Sequence, residues 1–228
     1  MIGKSAIISP KEVCIFVTPI DSGAPKGRLI MPQVQSLRAA LDQNIITVVV
    51  QLDEYFDAIN SLKSPPNLVV CDSQVVKEVI EISDKTQNIT TFSIIFARIK
   101  GDLEIEAKAA FELNKIKEND KILIAEACSH HSQNDDIARV KLPNLLQKKY
   151  GFLPEIEFSN GRDFPENLAE YRLIIHCGAC VLTRKEKLNR IAEAVDADVP
   201  ITNFGMAISF LNGYLERVLL PFGLEVES

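Results

Sequence analysis

Two short segments hold the side chains best suited to chemistry. The first is Glu126-Ala127-Cys128-Ser129-His130-His131 and the second is His176-Cys177-Gly178-Ala179-Cys180. Between them they contain three of the five cysteines and all three histidines of the chain. Thiolates are soft donors that select zinc or iron–sulfur clusters. A Cys-x-x-Cys pair alone is a weak signal, and a Cys-x-His in a matching position strengthens it. Structural zinc takes four closed ligands, which Cys128, Cys177, Cys180 and one histidine could supply. A 4Fe-4S cluster ordinarily takes four cysteines, and only three converge here, so one iron would keep a weak, exchangeable or missing protein ligand. Glu126 is a candidate exchangeable carboxylate for that place, as is a carboxylate from a neighbouring subunit. The remaining reading is a thiol–disulfide pair formed by Cys177 and Cys180.

Both segments follow an expected strand, Ile122 to Ala125 and Arg172 to Ile175. In an open α/β sheet, ligands bind in the crevice outside the carboxyl ends of the strands. Alternation along extended chain puts Glu126, Cys128 and His130 on one side. Cys177 and Cys180, three apart at the expected start of a helix, share one face, and a helix N-terminus favours bound negative charge.

The rest of the chain supplies the scaffold. Val13 to Thr18, Ile45 to Val50 and Leu68 to Cys71 read as buried strands. Between them lie a helix over 32–42, with Pro32 in its first turn and Val34, Leu37 and Leu41 at helical spacing, and a stripe of Tyr55, Phe56, Ile59 and Leu62 ended by Pro65-Pro66. Asp72 or Ser73 is the expected cap of the next helix. The polar stretch Ser83 to Thr91 reads as a linker. Beyond it come a helix over Asp102 to Ile116 and a strand over Lys121 to Ala125. Helical segments follow at 135–150 (interrupted near Pro143), 178–195 and 205–220, separated by strands near Glu155 to Phe158, Arg172 to Ile175 and Pro200 to Thr202. Strand–helix alternation implies parallel sheets covered by helices. The expected fold class is α/β, two small units of parallel sheet flanked by helices, in series, with no internal sequence repeat.

Composition narrows the partners. The 228 residues are 46% hydrophobic and 25% charged, ordinary for a globular protein, with a net charge of -6. A chain with no basic excess lacks the footprint of a nucleic-acid or anionic-membrane binder. Its apolar runs fall short of a membrane span, and the first residues have no signal-peptide pattern, so a cytoplasmic location is expected. Cys14 and Cys71 sit in apolar strands and read as core thiols. His131 should point away from His130, toward solvent or a local hydrogen bond. Asp21, Lys26 and Arg28 read as turn residues. Lys185, Lys187 and Arg190 read as the exposed face of a helix, although cations near an anionic cluster would stabilise it.

Cys128-x-His130, then 45 residues, then His176-Cys177-x-x-Cys180 resembles the signature of the HydF proteins, the GTPase scaffolds that mature FeFe-hydrogenase. Further segments look like family segments in the family's order: Pro19-Ile20-Asp21, Ala24-Pro25-Lys26-Gly27-Arg28-Leu29-Ile30, Cys71-Asp72-Ser73-Gln74, Phe96-Ala97-Arg98, Lys100-Gly101-Asp102, Ala125-Glu126-Ala127-Cys128, Asp135-Asp136-Ile137 and Pro200-Ile201-Thr202-Asn203. The resemblance covers essentially the whole chain.

It implies a dimerisation domain over 1–88 and an iron–sulfur cluster-binding domain over 92–228. The family's N-terminal GTPase is the departure: no Gly-x-x-x-x-Gly-Lys-Ser/Thr phosphate loop exists, and Gly3-Lys4-Ser5 mimics only its last three residues. GTP is therefore not expected to bind this chain and no catalytic residue is assigned. The chain looks like the second and third domains only, an engineered truncation or a natural short form. What the resemblance implies is a carrier holding a 4Fe-4S cluster on Cys128, Cys177 and Cys180, with His130 and His176 as weak ligands or as donors behind the ligands. It would accept a transient diiron precursor made by two radical-SAM enzymes and deliver it to apo FeFe-hydrogenase, as a homodimer or higher oligomer. The alternatives are a structural zinc-binding interaction module and a Cys-x-x-Cys oxidoreductase.

Overall fold

Short runs of aliphatic and β-branched residues form the central strands, as parallel sheets buried on both faces require. The computed structural model describes residues 7–20, 26–127, 136–161 and 164–224. They form two units. The first runs to Ile99 and includes the segment that begins at Tyr214; the second runs from Lys100 to Gly213.

In the first unit, β1 (Val13–Val17), β2 (Ile46–Val50), β3 (Leu68–Cys71) and β4 (Ile89–Thr91) form a parallel sheet in the order β2-β1-β3-β4. Helices α1 (Met31–Asp42), α2 (Tyr55–Ser61), α3 (Val76–Ile82) and α4 (Phe92–Lys100) connect or follow these strands. Cys14, Phe16, Leu68, Val70, Phe92 and Ile95 pack in its core. Each fully buried aliphatic or aromatic side chain contributes about 1.5–3 kcal/mol. As expected, Cys14 and Cys71 are core thiols, 2% and 0% exposed.

The second unit begins with α5 (Leu103–Phe111), capped by the Asp102 carboxylate, which accepts the Ile105 amide at 3.1 Å. It then holds β5 (Lys121–Glu126), a π-helical turn at Ile137–Lys141, α6 (Leu142–Tyr150), β6 (Glu155–Asn160), β7 (Leu173–His176), α7 (Arg184–Asp196), β8 (Ile201–Asn203) and α8 (Phe204–Leu211). Its sheet order is β6-β5-β7-β8. By position along the chain this is the same arrangement as in the first unit, without a sequence repeat. After α8 the chain returns to the first unit, where α9 (Leu215–Leu219) packs on β4. Arg217 donates to the carbonyls of Lys85 and Gln87, and Arg98 stacks on Phe222 at 5.2 Å.

Several expectations change. The stretch read as a linker, Ser83 to Thr91, contains β4, and the units divide after Ile99 instead. Asp72 accepts the Gln74 amide in a turn, and α3 begins at Val76 with no side-chain cap. The helix expected over 178–195 starts at Arg184, because Thr183 and Glu186 form a reciprocal capping box there. The helix expected over 205–220 is two, parted at Gly213, whose φ of 80° is left-handed. In α1 the buried residues are Gln33, Ser36 and Ala40, while Val34 and Leu41 of the expected inner stripe are 43% and 60% exposed.

Candidate metal centre

The strand order of the second unit makes a mouth. β5 pairs with β6 on one side and β7 on the other, so connections leave β5 and β7 in opposite directions and open a crevice at their carboxyl ends. In this ladder Ala125 lies opposite His176, and the Cys177 amide extends it by donating to the Ala125 carbonyl at 2.8 Å. Glu126 and His176, distant in sequence, therefore end adjacent strands.

Cys177 follows at once. Its Sγ accepts the amides of Ala127, at 3.1 Å, and Ala179, at 3.4 Å. Burial pushes this thiol above its ordinary range, and the two amides pull the other way. Amide donors aimed at sulfur suit a thiolate, so this donor set fits a thiolate-bound metal group. Gly178 to Leu182 is loop, not helix, which corrects the expectation that both thiols sit on a first helical turn. The loop turns at Ala179, fully buried with a left-handed φ of 54°. Such strain persists only where the surroundings enforce it. Lys100 is one reason: its Nζ donates to the carbonyls of Cys180 at 3.0 Å and Leu182 at 3.1 Å. Cys177 and Cys180 are each half-buried and in no disulfide.

His176 is 2% exposed. Arg190 can only donate, so its 2.8 Å contact makes Nε2 the acceptor, and Nδ1 carries the proton that it donates to the Cys177 carbonyl at 2.6 Å. Burial, more than the nearby Lys187 and Arg190 charges, lowers its pKa to about 3, so the ring is neutral. Both ring nitrogens are thus engaged. Glu126, 7% exposed, faces Arg139 at 3.7 Å and accepts from the Asn160 amide at 2.8 Å.

Behind the loop lies a polar layer that the sequence reading placed at the surface. Lys187 and Arg190 are 3% and 8% exposed, whereas Lys185 is exposed as expected. Lys187 Nζ meets Glu106 Oε1 at 2.8 Å, and Glu106 Oε2 accepts from Asn203 at 2.7 Å. Gly101 leaves room for this pair, since a Cβ there would lie 2.0 Å from Glu106 Oε1. A signal existed: Lys187, Arg190, Ile191 and Ala194 recur at helical spacing and form one buried stripe, and Glu106 interrupts an apolar helix face.

Cys128, His130 and His131 lie outside the described residues, as does Asp21. Among the described residues, no three Cys, His, Asp or Glu side chains converge as a metal-holding group. Nor is any described helix long and apolar enough to cross a membrane.

Residues 4–101 match the family model of the hydrogen maturase F dimerization domain, and residues 104–221 match that of the hydrogen maturase F tetramerization domain. Comparison with curated proteins gives no match. The two matched spans follow one another in the order of the two units, and together they show that this chain belongs to the hydrogen maturase F family.

Proposed function

We propose that this chain is a 4Fe-4S scaffold that accepts a diiron precursor from radical-SAM maturases and hands it to apo FeFe-hydrogenase, without catalytic turnover of its own. One observation carries the reading: Cys177 Sγ sits at the mouth of β5 and β7 and accepts the amide of Ala127, the residue bonded in sequence to Cys128. Cys128, Cys177 and Cys180 would hold the cluster, which supplies one iron site free to bridge to the cargo and release it. His176, with both nitrogens engaged, orients the Cys177 carbonyl and is assigned no bond to iron. Glu126, tied to Arg139 and Asn160, must break those contacts to serve as a ligand, which favours His130, equally two residues from Cys128.

Anaerobic iron and sulfide reconstitution followed by EPR tests this. The expected result is about four irons per chain, lost on Cys128→Ser, Cys177→Ser or Cys180→Ser; equal iron in all three variants would overturn it. One tightly held zinc with no iron–sulfur absorption would establish the zinc module instead. A depressed thiol pKa with reductase activity in metal-free protein would establish the oxidoreductase reading instead.

The first unit fits self-association. β2 is an edge strand made of Ile-Thr-Val-Val-Val, with Ile46 53% and Val49 44% exposed. Met31, Val34 and Leu41 of α1 are also exposed. An uncovered apolar edge invites strand pairing. The opposite edge, β4, is covered by α9. With residues 4–101 matching a dimerization domain, a second copy of this chain is the occupant proposed for the β2 edge.

A further inference from the structure

In the polar layer behind the Cys177–Cys180 loop, the two buried cations of α7 are unequally matched among the described residues. Lys187 is matched by Glu106 at 2.8 Å. Arg190 has no carboxylate within ion-pair distance among the described residues; its guanidinium donates to the neutral His176 ring at 2.8 Å and the Gly161 carbonyl at 2.6 Å, and it stacks on Phe164 at 5.1 Å. Lys100 adds a further cation, aimed at carbonyls of the loop itself. An isolated buried charge is costly, and a neutral imidazole and a carbonyl satisfy its hydrogen bonds without cancelling its charge. Among the negative groups whose fields reach Arg190, Cys177 acts most strongly, ahead of Glu193 and Glu186 on its own helix, and Cys177 lies one residue from His176, which Arg190 grips.

We infer that Arg190, supported by Lys100, is the charge-compensating residue of this site: its buried positive charge is met by the negative charge of the group held on Cys177 and Cys180, and it favours the reduced state of a cluster there. This rests on the cluster reading above. It also explains why α7 buries a cation rather than an apolar residue at this position. The added electron of a reduced cluster raises the site's negative charge by one, and a fixed buried cation stabilises that state without reorganisation. A unit charge acting over about 10 Å at a protein's effective dielectric changes such an equilibrium by roughly tenfold.

The test is a mediated redox titration of the reconstituted full chain, followed by EPR. Arg190→Gln leaves a polar side chain at the position and removes the charge. At the potential where half of the unmutated cluster is reduced, its reduced-to-oxidised ratio should fall roughly tenfold. Arg190→Lys, which retains the charge, should stay within about twofold, and Lys185→Gln, on the exposed face of the same helix, should not move. Lys100→Gln, less buried, should shift in the same direction by a smaller factor, and keeps the inference testable if Arg190→Gln fails to fold. Identical titrations of Arg190→Gln, Lys100→Gln and the unmutated chain overturn this inference alone. Arg190→Lys shifting as far as Arg190→Gln also overturns it, because geometry and not charge would then be responsible. If the unmutated chain itself yields no reducible cluster, the cluster reading fails and this inference with it.

Discussion

Replacing Gly101 by alanine should be far more damaging than a single methyl suggests. The backbone of Gly101 is not in the left-handed region, so alanine is conformationally acceptable and by itself would stabilise the fold by about 0.4–1 kcal/mol. Space reverses the sign. The new Cβ would stand 2.0 Å from Glu106 Oε1 and 2.9 Å from both Cε and Nζ of Lys187. The carboxylate must withdraw by more than about 1 Å to reach ordinary contact, which removes it from the 2.8 Å pairing with Lys187 and strains the 2.7 Å bond from Asn203. Breaking a pair this deeply buried costs about 3–5 kcal/mol, a large part of the roughly 5–15 kcal/mol that holds a domain folded. The melting temperature of the second unit should therefore fall by more than about 10 °C, followed by circular dichroism. The decisive comparison places Gly101→Ala in a Glu106→Ala/Lys187→Met background, where no carboxylate or ammonium remains to collide. There it should cost at most about 1 kcal/mol. A mild effect in the unmutated chain, or the same loss in both backgrounds, refutes the reasoning.

Other outcomes follow from features in the first unit. Burial raises the Cys14 and Cys71 thiols well above their ordinary pKa of 9.0, so alkylation at pH 8.5 and mapping by mass spectrometry should find both unmodified until the chain is unfolded. Because the unfolded thiols ionise first, the chain should lose stability as pH rises above about 9, measured by urea unfolding; a gain there contradicts the assignment. Ile46→Glu or Val49→Lys on the β2 edge should yield a smaller species by light scattering with unchanged circular dichroism, whereas an unchanged oligomer places the seam elsewhere. Arg217→Ala deletes the bonds to the Lys85 and Gln87 carbonyls and should destabilise the first unit by about 1–3 kcal/mol, seen as a lower urea midpoint.

Much of the scaffold was legible because central parallel strands are buried on both faces and read as unbroken aliphatic runs, as in Ile122 to Ala125 or Leu173 to Ile175. β4 was not, since Ile-Thr-Thr is only three residues long and follows a polar turn; its strand character comes from pairing with β3. α1 misled for the opposite reason. Its apolar stripe obeys helical periodicity, yet only Leu37 packs on the core while Val34 and Leu41 face outward, and periodicity alone does not say whether a stripe meets the chain's own core or another surface. At the candidate site, the two strand ends were readable from position alone. The inward turn of Lys187 was legible only in part: it shares a helical stripe with Ile191 and Ala194, but its burial depends on Glu106, which comes from a separate helix. A helix rich in charges ordinarily sheds them to water, and only the carboxylate on the other side of the packing identifies the exception.

The return of α9 to β4 gives the chain an order of events during synthesis. All four strands of the first sheet leave the ribosome before any part of the second unit, yet the segment that closes the β4 edge is made after the second unit is complete. For that interval the nascent first unit has two open edges, β2 and β4, instead of one. A chain released before Tyr214 keeps them both, and the residues of α9 therefore separate molecules whose β4 is packed from those that offer a chaperone or protease a free strand.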